Sequence, residues 1–154
     1  MTPEPVMTLD DLPDAPPPNP NLDIRQVTDL KALTHFQEVI EKSYMFEHGA
    51  GPYIITERTF SLPDAQMFVG YADSQPACAS MLIKTGPVAG IYWVATLANF
   101  RGMGFGKSIT MQAAAAGKQL GCQFASLQAS SMGKPMYKSL GFDNPYNYVS
   151  LASP

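Results

Sequence analysis

Charge is scarce in this chain. Only 15% of its 154 residues are Asp, Glu, Lys or Arg, and they sum to a formal charge of −3. A weakly acidic whole-chain field gives no help to nucleic acid or to an anionic membrane, so neither is an expected partner. Long apolar runs are missing too: none reaches the roughly 18 residues that a membrane span requires. The N-terminus carries no signal-peptide pattern, and a cytoplasmic location is the resulting expectation. Cysteine is limited to Cys78 and Cys122, whose separation fits neither a zinc site nor a CxxC pair. Two buried, reduced thiols are expected. The two histidines, His35 and His48, have no other ligand types grouped around them, so no metal is expected.

What is present is an ordinary globular composition with 45% hydrophobic residues, enough for one domain around a single core. Residues 1–21 hold seven prolines and four acidic residues. Proline removes backbone donors and few apolar partners are at hand, so this stretch reads as an extended or disordered tail ahead of a domain over 22–154. From Leu22 to Val27 apolar and polar residues alternate as in a half-buried strand. Thr28 or Asp29 offers an N-cap to a helix whose apolar face runs Leu30, Leu33, Phe36, Val39, Ile40 and Tyr44. Residues 45–65, with Gly49, Gly51, Pro52 and Pro63, read as a loop or short broken helix able to wall a substrate site; its aromatics Phe46, Tyr53 and Phe60 fit core plugs equally well.

Three strands are expected next, Ala65–Ala72, Pro76–Thr85 and Val88–Leu97, with turn-like connections that suggest an antiparallel meander. A helix over about Gly104–Gln119, a strand over Cys122–Gln128, a short helix over Lys134–Leu140 and a last strand over Tyr146–Leu151 complete the pattern. Strand, glycine turn, helix, strand, helix, strand describes an α/β sandwich on a mixed sheet.

The glycine turn Arg101-Gly102-Met103-Gly104-Phe105-Gly106 carries the chemistry. Gly106-Lys107-Ser108 ends like a Walker A loop, but Gly102 leaves that loop one residue short. A dinucleotide fingerprint would need glycine where Lys107 stands. The pattern that fits is R-x-x-G-x-G at the start of a helix. Its glycines let backbone approach a diphosphate, and the first helical turn presents unpaired N–H groups at the positive end of the helix dipole. Arg101 can add a charge-assisted contact or a hydrogen bond that shapes the turn.

The turn follows the apolar strand Ile91–Leu97, and Tyr137-Lys138-Ser139-Leu140-Gly141-Phe142 lies downstream. With these two motifs, spaced by one helix and one strand, the chain resembles the GNAT superfamily of N-acetyltransferases over Ile91–Phe142, and less specifically from Leu22 onward. The resemblance implies a GNAT-like fold: a mixed, mostly antiparallel central sheet, flanked by helices and splayed between two central strands. It implies acetyl-CoA (or another acyl-CoA) as cosubstrate, no metal, and transfer of the acyl group to a primary amine by direct attack in a ternary complex. It also makes a homodimer an expected arrangement. The cofactor would be held by Val94, Ala95 and Thr96 on the strand, by Arg101, Gly102, Met103, Gly104, Phe105, Gly106, Lys107 and Ser108 at the turn, and by Ser130, where the family often has asparagine. Tyr137 matches the tyrosine that protonates the departing CoA thiolate. Leu140 and Phe142 are expected in the core and Gly141 as a helix C-cap.

One family feature is missing. Many relatives carry a glutamate on the strand before the glycine turn, but Val88–Phe100 contains no Asp, Glu or His. Proton removal is left to ordered water, to Glu47, His48 or Glu57 on the loop, or to solvent. Tyr92 and Trp93 are expected on opposite faces, one in the acceptor pocket and one in the core. The competing reading is a non-catalytic acyl-CoA binding or sensing domain of the same fold, since an intact ligand site does not guarantee turnover. A P-loop-like nucleotide binder is the other.

Overall fold

The computed structural model describes residues 5–45, 47 and 49–146, and for residues 54, 60 and 144–146 only the backbone. Among the described residues, seven strands form one sheet in the order β2-β3-β4-β5-β6-β1-β7. They are β1 (Val6–Leu9), β2 (Asp23–Gln26), β3 (Ala65–Ala72), β4 (Gln75–Thr85), β5 (Val88–Thr96), β6 (Phe124–Gln128) and β7 (Asp143–Tyr146). Every pairing is antiparallel except β5 with β6. The helices are α1 (Leu30–Ser43), α2 (Gly51–Ile54), α3 (Glu57–Ser61), α4 (Phe105–Gln119) and α5 (Lys134–Ser139). The mixed, mostly antiparallel sheet flanked by helices is the expected fold.

The first residues correct the sequence reading. The proline-rich stretch is not a free tail: its Val6–Leu9 pair antiparallel with Ala125–Gln128 of β6, and Val6 and Thr8 also pair with β7. Met7 is fully buried, Leu9 and Leu12 nearly so. A strand of only four residues escapes a composition argument, because two flanking strands supply the hydrogen bonds and apolar cover that the segment lacks by itself. The last strand also begins earlier than expected, at Asp143; most of the expected Tyr146–Leu151 strand, like His48 and Phe46, lies outside the described residues.

Elsewhere local chemistry and fold agree. Asp29 caps α1, accepting from Ala32 N–H at 2.7 Å. The inward face of α1 is Leu33, Phe36, Val39 and Ile40, whereas Leu30 and Tyr44 are exposed. Helix α4 crosses the opposite face of the sheet on small residues. A Cβ on Gly117 would sit 2.5 Å from Ala89 Cβ, so only glycine permits this approach. Ser80 Oγ anchors the same helix by donating to the Ile109 carbonyl at 2.8 Å.

Both cysteines are free and buried. Burial pushes the Cys78 thiol up to about 12. It does the same to the Tyr137 phenol, with Tyr44 adding to the shift. The native state therefore holds these protons more tightly than the unfolded chain. Their contribution to stability is complete below pH 9 or so and is lost as pH rises through about 9 to 12. The urea midpoint should stay level to about pH 8.5 and then fall, with Cys78→Ala flattening the decline. Native Cys78 should also resist iodoacetamide at pH 8; rapid alkylation there would contradict its burial.

Candidate functional site

Strands β5 and β6 pair at three positions only, Val88 with Phe124, Ala89 with Ala125 and Gly90 with Ser126. Beyond these the strands part, and a V opens toward the C-terminal end of β5. Strand β6 does not lose its place there, because Leu127 and Gln128 pair with Met7 and Val6 on the other side. A bulge shapes the β5 arm. Ala79 pairs with Ala95 and Met81 with Tyr92, so Ser80 faces both Trp93 and Val94, and Trp93 takes a φ of 52°. An extra residue of this kind re-aims the side chains that follow. It also breaks the expected alternation: Tyr92 and Trp93 both line the cleft, and Trp93 packs against the α1 core as well.

Two cavities meet at this opening. The larger, of about 580 Å³, is lined by Val94, Ala95 and Thr96 from β5, by Arg101, Gly102, Gly104, Phe105, Gly106 and Lys107, and by Ser130, Gly133 and Met136. The smaller, of about 270 Å³, lies between Ile91–Val94, Leu127, Gln128 and Tyr137. Tyr44, Val94 and Ser130 border both. Ten of the twelve expected cofactor residues thus converge on one cavity. Met103 and Ser108 do not. Met103 lines an outer groove with Pro20 and Tyr71, and buried Ser108 donates to the Pro17 carbonyl at 3.4 Å.

The turn is built as an anion cradle. Gly102 and Gly104 both have φ of 79°, in the left-handed region that side chains disfavour. The first helical hydrogen bond runs from Ser108 N–H to the Gly104 carbonyl, so the amides of residues 105–107 have no intrahelical acceptor. Gly106 faces the cavity: a Cβ there would lie 3.0 Å from Met136 Sδ and 3.6 Å from Thr96 Oγ1. Arg101 shapes the turn, its Nε donating to the Thr96 carbonyl at 3.2 Å. Ser43 Oγ, buried at the cavity wall, has no hydrogen-bond partner among the described residues. These groups fit a diphosphate ester with an extended polar arm, the chemistry of CoA.

Tyr137 is buried on α5 against Phe142, ring centroids 5.9 Å apart, and borders the smaller cavity. Tyr44, just past α1, donates its hydroxyl to the Val94 carbonyl at 3.2 Å and stacks edge-on with Trp93 at 5.3 Å. Sequence reasoning missed it as a site residue because it continued the apolar helical pattern. Glu57 is not brought to the cleft; it lines a separate groove with Leu30 and Thr34. Glu47 lines neither cavity. The buried carboxylate of Glu41 accepts from Gly49 and Gly51 N–H at 2.6 and 3.0 Å and so ties these two residues to α1. Among the described residues, neither cavity is lined by Asp, Glu or His.

The acetyltransferase (GNAT) domain model matches residues 63–144, more than half of the sequence. The chain belongs to the GNAT family. Solved structures share the fold of this GNAT domain at low identity. A GCN5-related N-acetyltransferase from Kribbella flavida superposes with a TM-score of 0.72 at 18% identity over 96% of this chain. This chain spans 56% of that protein's length. The aminoglycoside N-acetyltransferase AAC(6')-Iy, solved with a CoA-based bisubstrate analogue, gives 0.72 at 18% identity over 81% of this chain and 92% of its own. Glucosamine-6-phosphate N-acetyltransferase from Arabidopsis thaliana gives 0.67 at 19% identity, over 81% and 93%. A comparison with curated protein sequences finds no match. The GNAT match begins at residue 63, so β1, β2 and α1 lie outside it.

Proposed function

We propose that this GNAT domain transfers an acetyl or other acyl group from acyl-CoA to a primary amine by direct attack in a ternary complex. The carrying observation is the junction of the two cavities at Val94, Tyr44 and Ser130, with the glycine cradle on one side and Tyr137 on the other. The pyrophosphate would rest on the amides at the start of α4, with Lys107 and Arg101 nearby, and the pantetheine arm along β5. That arm would use N–H groups or second lone pairs there, since the Val94 and Thr96 carbonyls already accept from Tyr44 and Arg101. The thioester would then reach the junction and the amine would enter from the smaller cavity, as in enzymes that gain rate by holding two reactants in one geometry.

In the reaction the amine nitrogen forms a bond to the thioester carbonyl carbon, and the carbon–sulfur bond breaks. The amine's surplus proton leaves to water, and the sulfur gains one. Tyr137, which borders the smaller cavity, is the proposed partner of the sulfur. Its phenol lies at about 12 while a thiol lies near 8.5, so full transfer is uphill. Its main contribution is therefore a hydrogen bond to sulfur as negative charge develops.

Without a protein carboxylate at the described cleft, the amine itself sets the alkaline dependence. The ascending limb of kcat/KM should move with the pKa of the amine used; a limb fixed across different amines would reveal a protein base. The activity test is CoA release from acetyl-CoA with a panel of amines, including an aminoglycoside, a polyamine, an amino sugar and an N-terminal peptide. Tight acetyl-CoA binding with no turnover on a broad panel would overturn the transferase reading in favour of a sensor.

A further inference from the structure

We infer that Asn19, on a segment outside the GNAT match, is a positioning residue that locks the pyrophosphate turn in its binding orientation. The inference rests on the CoA reading of the larger cavity and assigns a role to the N-terminal segment in it.

After β1 the chain runs back along α4 as a strap. Leu12 is buried in the main core. Asp14 then pairs with Lys118, near the C-terminal end of α4, at 2.7 Å. The Pro17 carbonyl accepts from Ser108 in the first turn of the same helix. Asn19 reaches the glycine turn itself, donating from Nδ2 to the Met103 carbonyl at 3.1 Å. Pro16, Pro17, Pro18 and Pro20 limit the backbone freedom of this stretch. Asn19 is held in turn by its neighbours: its Oδ1 accepts from Asn21 N–H and its carbonyl accepts from Leu22 N–H, both at 3.1 Å.

The consequence follows from peptide planarity. The Met103 carbonyl and the Gly104 N–H belong to one trans peptide, so they point in opposite directions. Fixing the oxygen toward the strap directs the Gly104 N–H away from it. The strap lies on the outer side, where Met103 shares a groove with Pro20 and Asn21, while Gly104 borders the cofactor cavity. Rotation of this peptide changes ψ of Met103 and φ of Gly104, and glycine tolerates a change of φ at little steric cost. Without a partner for the Met103 oxygen the plane is free to turn and withdraw its amide from the anion. Asn19 removes that freedom.

The test compares donors with and without a pyrophosphate. In Asn19→Ala, KM for acetyl-CoA and Kd for CoA should rise about three- to tenfold, the scale of one neutral hydrogen bond. The kcat at saturation, the Tm, and kcat/KM with S-acetylpantetheine as donor should stay unchanged. Asn19→Asp, which keeps the acceptor toward Asn21 but loses the donor, should weaken CoA at least as much. Asp14→Ala, cutting the strap's distant and exposed ion pair, should leave CoA affinity within twofold of the parent. CoA affinity within twofold of the parent in both Asn19 variants would overturn the inference, and so would an equal loss with S-acetylpantetheine. Failure of the unsubstituted chain to bind CoA would instead bring down the cofactor reading, and this role with it.

Discussion

Valine at position 106 should abolish acyl-CoA binding while leaving the fold in place. Gly106 has an ordinary helical backbone, and its missing side chain is what keeps the cavity open between Thr96 and Met136. Two added methyl groups would stand where, under the proposed function, the diphosphate approaches the α4 amides. Met136 is flexible and can yield, so the fold tolerates the change better than the ligand does. The expected loss in CoA affinity is about 100-fold or more, since overpacking by this amount costs roughly 1–3 kcal/mol and the amide contacts go with it. Gly104 is the instructive contrast. A Cβ there would meet Asn19 Nδ2 at 3.6 Å, an ordinary contact, but the residue's φ of 79° is left-handed, so Gly104→Ala carries a backbone cost of about 1–2 kcal/mol. That variant should lower Tm as well as affinity. Titration calorimetry with CoA, read beside thermal melts, separates the two behaviours. Parent-like affinity in Gly106→Val would remove the cradle from the cofactor site.

The second large effect is expected at Tyr137. Tyr137→Phe keeps the ring against Phe142 and the wall of the smaller cavity, so acetyl-CoA affinity should not change. What goes is the hydroxyl proposed to meet the leaving sulfur. General acid assistance is commonly worth about 10²–10⁴ in rate, and the uphill proton transfer points to the lower end, about 100-fold in kcat. Since burial holds the phenol at about 12, the hydroxyl remains protonated throughout the working range. The parent should show no descending limb from this group below about pH 11, and the deficit of the variant should be constant from pH 6 to 10. Unchanged kcat in the variant would return Tyr137 to a packing role. Tyr44→Phe should cost less, because the hydroxyl that it removes anchors the Val94 carbonyl of the bulge.

How much of this could be read from the sequence differs by element. The meander β3–β5 and helix α4 were legible because their apolar periods are long and their turns carry glycine and proline signals. The cradle was legible as a motif, since glycine positions and helix start lie within six consecutive residues. Tyr44, the bulge at Trp93 and the Met136 contact to Gly106 were not. Each depends on a partner from a distant element, and a bulge has no composition of its own. Ser108 was assigned to the cofactor by adjacency in sequence; a helical step turned its hydroxyl to the strap instead. The largest misreading concerned the described part of the proline-rich stretch, residues 5–21. Proline density argues well against helix and free-standing strand, but it says nothing of four residues held between two other strands and a strap laid on a helix.

The place of β1 has a further consequence for how the chain comes to be folded. Val6 is synthesised far ahead of its partner Gln128. The strand cannot be seated until β6 exists, so everything between the two is made while this segment waits. Contacts between such distant positions are formed slowly and at high loop-closure cost. Until then β6 presents an uncovered edge and Met7 an uncovered apolar side chain, the features that expose an intermediate to aggregation or strand exchange. The arm of β6 that borders the smaller cavity is therefore completed late, by a segment made long before it.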